Sequence, residues 1–133
     1  MPATPTPLIP VSIGELLDKL SILEIKRARF TDAERLKNVQ REWSALDAVR
    51  QGLTLASASE VEEAYDALKR VNEQLWRIED DIRSREAAGI FDDTFVALAR
   101  AVYRTNDERA ALKRRINSLT GSELREEKAY VAY

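Results

Sequence analysis

From Ser12 onward, apolar residues recur at three- and four-residue spacing along almost the whole chain, the period of an amphipathic helix rather than a strand. Ile13, Leu16, Leu17, Leu20, Leu23 and Ile25 predict a first helix from Ser12 to Phe30, and Leu36, Val39, Trp43, Leu46 and Val49 a second from Thr31 to Gln51. Val61, Tyr65, Leu68, Val71, Leu75, Ile78 and Ile82 predict a third from Ser59 to Ala88. Phe95, Leu98, Val102, Leu112, Ile116 and Leu119 predict a fourth from Asp93 to Thr120. Three capping boxes mark helix starts: Ser12 with Glu15, Thr31 with Glu34 and Ser59 with Glu62. Gly52, Gly89 and Gly121 stand where left-handed C-caps belong, and Ser122 is placed to cap a short last helix through Lys128. The third and fourth helices are each roughly 45 Å long, and the tight link through Ile90, Phe91 and Asp92 makes them an antiparallel hairpin. The fold class is therefore all-α: an antiparallel bundle of four main helices, with the long third/fourth hairpin and a short C-terminal helix. Pro2, Pro5, Pro7 and Pro10 keep residues 1–11 out of the helices as a flexible arm. Residues 12–133 read as one domain.

Charge sharpens the hairpin. The third helix has five basic and nine acidic residues, net −4, and the fourth has six basic and three acidic, net +3, so the two attract. Over the whole chain 21 Lys and Arg face 23 Asp and Glu, net −2, which argues against a nonspecific nucleic-acid binder. The chain has no His and no Cys, so imidazole acid–base chemistry, a thiolate nucleophile, a structural zinc site and disulfides are excluded. No apolar run reaches the ~20 residues that span a bilayer, and the first ten residues lack the pattern of a signal peptide. A cytoplasmic protein without a membrane partner is expected.

Candidate chemistry lies where the apolar seams fail. In the fourth helix a polar patch with Arg100, Tyr103, Asn106, Asp107, Arg109, Lys113 and Asn117 interrupts the seam between Val102 and Leu112. In the third, Asn72, Trp76, Glu79 and Arg83 form a polar stripe beside the Leu75 to Ile82 seam. In the first, Glu15, Asp18, Lys19, Ser21, Glu24 and Lys26 break up the leucines. Should the stripes face one another, Lys19, Lys26, Arg83, Arg100, Arg109 and Lys113 supply the donors of an anion pocket, Arg being suited to bidentate carboxylate or phosphate recognition. Glu24, Asn72, Trp76, Glu79, Tyr103 and Asn106 complete the candidate ligand-binding set. The competing reading is surface salt bridges around one structural network.

Two enzymatic patterns compare poorly. The i, i+3 carboxylates Glu15 with Asp18, Glu60 with Glu63, and Glu63 with Asp66 are the kind of pair that holds Mg²⁺ in all-helical nucleotide pyrophosphohydrolases, but order and spacing differ from that pattern. Glu60, Glu62 and Glu63 also complement a helix dipole. Helical chorismate mutases need no His, Cys or metal, and Lys19, Arg83, Arg109 and Glu79 match their inventory without matching their motifs. No cofactor and no metal site is expected. Trp43 and Tyr65 read as core, whereas the indole of Trp76 stands one step off its seam, beside the polar stripe.

The segments Val11 to Glu15, Asp18 to Lys26, Leu75-Trp76, Ile78-Glu79-Asp80, Ala99-Arg100, Val102-Tyr103, Asn106-Asp107, Ile116-Asn117 and Glu126-Glu127-Lys128 resemble those of a bacterial family of short all-helical proteins of unknown function, as do Asn72, Arg83, Phe95, Arg109, Lys113, Ser122 and Tyr130. The resemblance spans nearly all of the chain after the Pro-rich arm. It implies surroundings rich in glycosyltransferase and surface-polysaccharide genes, without a catalytic assignment. The expected function is binding of an anionic metabolite, a sugar nucleotide, sugar phosphate or carboxylate, at the polar interior cluster. The alternative is a structural adaptor docking a partner enzyme such as a glycosyltransferase through a helical face or through Glu123 to Tyr133. A homodimer through the hairpin or the first helix is also expected.

Overall fold

The computed structural model describes residues 3–133, so Pro2 of the arm lies outside the described residues. Residues 3–11 form no secondary structure and are exposed. Four helices follow: α1 (Ile13–Arg29), α2 (Ala33–Gln51), α3 (Ala58–Ala88) and α4 (Asp93–Thr120). No strand forms among the described residues.

The caps explain most of these limits. Ser12 Oγ accepts from Glu15 N–H at 3.0 Å, and the first helix stops at Phe30. Phe30, Thr31 and Asp32 make a corner, where Asp32 rather than Thr31 is the N-cap and accepts from Arg35 N–H at 2.9 Å. A carboxylate there also meets the positive end of the helix dipole. Asp92 caps α4 through Phe95 N–H. Gly89 and Gly121 take the left-handed backbone expected of them, with φ of 69° and 64°.

Four further expectations are corrected. Gly52 is right-handed, φ −78°: the amide after it, Leu53 N–H, bonds the Arg50 carbonyl three residues back in a further right-handed turn, whereas after Gly89 and Gly121 the next amide reaches five residues back, to Arg85 and Asn117. The Ser59 box does not form: α3 starts at Ala58 from a left-handed Ser57 without a side-chain cap, which puts Ser59 inside the first turn. Val49 is exposed, since the packed face of α2 runs from Val39, Trp43 and Leu46 to Arg50, whose guanidinium lies over the Tyr65 ring. The short C-terminal helix is absent, and residues 123–133 form an irregular strap. Ser122 explains this: its hydroxyl accepts from Ile13 N–H at 3.1 Å and donates to Leu124 carbonyl at 2.8 Å, so it is not free to cap a new turn.

α1 is the central helix, packed on α2 and on both arms of the α3/α4 hairpin. It runs antiparallel to α4, its start at Asn117 and its middle at Arg109. Leu16, Leu17 and Leu20 meet Val61, Ala64, Tyr65, Leu68 and Ile116 in the core, with Leu20, Leu68 and Ile116 fully buried. Each such side chain contributes about 1.5–3 kcal/mol by burial. Because α1 is covered on two sides, its buried set includes Asp18 and Ser21 as well as the leucines.

Candidate functional site

Gly14 brings α1 and α4 together. A Cβ at this position would lie 2.5 Å from the Lys113 carbonyl oxygen and 2.9 Å from Asn117 Oδ1, so only glycine permits the approach. The bare backbone in turn donates Gly14 N–H to Asn117 Oδ1 at 2.7 Å. Ser12, Asn117 and Ser122 thus satisfy three of the four free amides at the start of α1.

One turn further, Asp18 enters the interior with its side chain only 1% exposed. A carboxylate there requires partners. Arg109 supplies two parallel bonds, Nε to Oδ1 at 2.9 Å and Nη2 to Oδ2 at 2.5 Å. Asn72 Nδ2 donates to Asp18 Oδ1 at 3.0 Å and to Ser21 Oγ at 2.8 Å, and Ser21 Oγ donates to the Asp18 carbonyl. Its bond to Asp18 raises the Arg109 guanidinium above its ordinary pKa, against the effect of burial.

Lys113, one turn after Arg109, is nine-tenths buried. Its ammonium lies 2.7 Å from Glu15, 2.9 Å from Glu126 and 4.0 Å from Asp18. Burial acts to lower its pKa; the bonds to Glu15 and Glu126 and the charge of Asp18 outweigh that and raise it. Glu126 comes from the strap and also binds Lys128 at 2.8 Å. Lys128 first and Lys113 second pull its carboxyl down to about 2.

The strap turns back along α4. The Tyr133 ring sits edge-on to Tyr103 at 5.0 Å, and its hydroxyl donates to Asp107, which raises the phenol pKa. Between strap and helix opens a pocket of about 810 Å³, within the size range of small-molecule sites. Cations Arg109, Lys113 and Lys128, carboxylates Glu15, Asp107 and Glu126, and the rings of Tyr103, Tyr130 and Tyr133 line it with Asn106.

A family of unknown function, DUF6165, matches residues 8–133. The chain belongs to that family. No curated protein and no solved structure matches it.

The candidate residues fall into three groups. Tyr103, Asn106, Arg109 and Lys113 line the strap pocket. Asn72, Trp76, Glu79 and Arg83 line a smaller cleft of about 320 Å³ between α1 and α3, which Arg109 also borders. In that cleft Arg83 pairs with Glu79 at 3.1 Å, and Trp76 packs against Phe30 with Arg29 over its ring. Lys19, Glu24, Lys26 and Arg100 line neither: Lys19 is exposed beside Glu15, Arg100 is exposed, and Lys26 is half-buried. Glu24 pairs with Lys69 at 3.2 Å, beside a buried Tyr65 whose phenol is pushed up by burial and then by Glu24. Of the chorismate-mutase-like grouping, Glu79, Arg83 and Arg109 border the smaller cleft and Lys19 lies outside it.

Asp18 and Glu15, the i, i+3 pair considered for Mg²⁺, are instead committed to Arg109 and Lys113. Among the described residues, no group of three or more potential metal-binding His, Cys, Asp or Glu side chains comes together, and no helix is long and apolar enough to cross a membrane. The sequence reading left Asp18, Glu15, Glu126 and Tyr133 out of the candidate set. For Asp18 a signal was present, a carboxylate between Leu17 and Leu20 on a helix with apolar residues around most of its girth.

Proposed function

We propose that the protein binds an anionic small metabolite, of the sugar-nucleotide, sugar-phosphate or carboxylate class, in the pocket between α4 and the strap. One observation carries the reading: Lys113 is nine-tenths buried against a pocket of about 810 Å³, and one of its two close carboxylates sits on an irregular strap rather than on a helix. A ligand's acid group takes the place of Glu126 beside Lys113, where charge-assisted bonds are strongest. Arg109 stays on Asp18 and holds the helix that presents Lys113. Tyr103 and Tyr130 offer ring faces and edges to a sugar or base, and Asn106 and Asp107 offer hydrogen bonds to hydroxyls. The gene surroundings implied by the resemblance favour glycosyl phosphates and sugar nucleotides among these anions and set the role in bacterial surface-glycan metabolism.

The test is thermal unfolding of the full chain with inorganic phosphate, glucose 1-phosphate, UDP-glucose and succinate, at low and high salt. The reading expects a salt-resistant, concentration-dependent rise in Tm for at least one compound, lost in Lys113→Met. A flat panel overturns it.

A second reading, the adaptor, draws on the same strap, where Tyr130 and Val131 border the pocket and are exposed at 75% and 92%. Aromatic and aliphatic groups held on an exposed segment suit a protein contact. It expects substitution of Tyr130 and Val131 by Ser to release a partner enzyme, and no compound of the panel to raise Tm.

A further inference from the structure

Lys113 has a tethered anion already in place. Glu126 is 13 residues along the chain from Lys113, and its side chain remains 41% exposed while contacting both Lys113 and Lys128. The strap that carries it holds no helix or strand and is fastened at two places. At its start Ser122 is buried against α1; at its end Tyr133 meets Tyr103 and Asp107 while staying 75% exposed. The middle of the strap is thus free to lift once the Glu126 contact is given up.

Resting on the proposed anion pocket, we infer that Glu126 is an internal competitor for the ligand's acid group, which selects phosphate monoesters over carboxylates and couples ligand entry to lifting of the strap. A tethered group on a short flexible linker acts at an effective concentration of order millimolar. A free carboxylate offers Lys113 the same single charge and the same two oxygens as Glu126, without the tether, and so loses the competition. A phosphate monoester brings nearly two charges and three acceptor oxygens.

The charges left behind favour the dianion. Lifting Glu126 frees Lys128 of its partner and leaves Lys113 with Glu15 at 2.7 Å. Arg114 lies on the same side of α4, where it lines a small hollow with Lys113, Glu126 and Lys128. A single carboxylate restores the charge that Glu126 removed; a phosphate adds a second, which Arg114 and Lys128 are placed to meet. Asp18 and Arg109 take no part, since their charges are mutually satisfied.

Calorimetric titration of wild type and Glu126→Gln with glucose 1-phosphate and with the monocarboxylate gluconate tests this, with the Tyr103 and Tyr133 ring resonances followed by NMR. Wild type is expected to bind glucose 1-phosphate and not gluconate, and ligand is expected to shift both tyrosines as the lifted strap changes their edge-on geometry. Glu126→Gln, which keeps the shape and removes the charge, is expected to bind glucose 1-phosphate about tenfold tighter or better, by removing the competing closed state, and to gain measurable gluconate binding. Equal affinity of the two proteins for glucose 1-phosphate, or gluconate binding to wild type as tight as phosphate, overturns the competitor and leaves the pocket standing. No binding to either protein overturns the pocket itself.

Discussion

Arg109 and Lys113 are neighbours on one face of α4, one turn apart, yet they lie in two different kinds of surroundings. Arg109 reaches inward to a carboxylate that is 1% exposed, fixed by a helix on one side and by Asn72 on the other. Lys113 reaches outward to Glu126, 41% exposed on a strap without regular structure. The difference separates what holds this fold from what the fold leaves exchangeable. A charge pair whose members both sit on packed helices costs several kcal/mol to break, because one partner is stranded in the interior. When one member sits on a solvated strap, the same chemistry costs little to undo, and another anion can enter.

The largest expected effect follows from breaking the inward pair. Arg109→Ala strands Asp18 and is expected to lose about 3–5 kcal/mol of stability, measured by urea unfolding; a loss under about 1 kcal/mol would place the inward pair in the same class as the outward one. Next comes the contact that sets α1 against α4. Gly14→Ala drives a methyl into the Lys113 carbonyl, which lies on rigid helix backbone, and is expected to cost about 1–3 kcal/mol in the same assay. Lys113→Met leaves Glu15 with only the looser Lys19 contact at 3.8 Å and Glu126 with Lys128 alone, with an expected cost of about 1–2 kcal/mol and complete loss of the ligand-induced rise in Tm.

The smallest effect is expected at the strap. Glu126→Gln is expected to cost less than about 1 kcal/mol, as exposed pairs do. Acid gives the same release without a mutation. The groups facing Glu126 are Lys113 and Arg114 from α4 and Lys128 from the strap, with Glu15 of α1 also on Lys113. Lys128 on the strap first, and Lys113 second, lower the Glu126 pKa from 4.5 to about 2, so the contact with Lys113 is at full strength above pH 4.5 and weakens as the pH falls toward 2. The Tyr103 and Tyr133 ring resonances are expected to move over that range while the helical circular dichroism stays constant. A simultaneous loss of both signals would show that strap and core are one cooperative unit.

Helix limits and the fold class were legible in the sequence because they depend on local chemistry. Ser12, Gly89 and Gly121 act through atoms three or four residues away, and the seams of α3 and α4 follow directly from a 3.6-residue period. The site was legible only in part. Arg109, Lys113, Asn106 and Tyr103 were found because a polar gap in the α4 seam announces them. Lys19 was favoured over its neighbour Asp18 because the set was chosen for cationic donors, whereas α2 and the hairpin cover α1 on two sides and bury Asp18. The strap was misread as a helix for a related reason. Ser122 is bound to Ile13, 109 positions away, and Tyr133 to Asp107, 26 away; such contacts leave no periodic trace.

The distinction between the inward and outward pairs is tested most directly by a crystal structure of the full chain with glucose 1-phosphate. The account predicts the phosphate beside Lys113 in the pocket between α4 and the strap, Glu126 moved off the ammonium, and the two bonds between Asp18 and Arg109 unchanged. A phosphate bound elsewhere, or one that draws Arg109 away from Asp18 while Glu126 keeps its place, would contradict it.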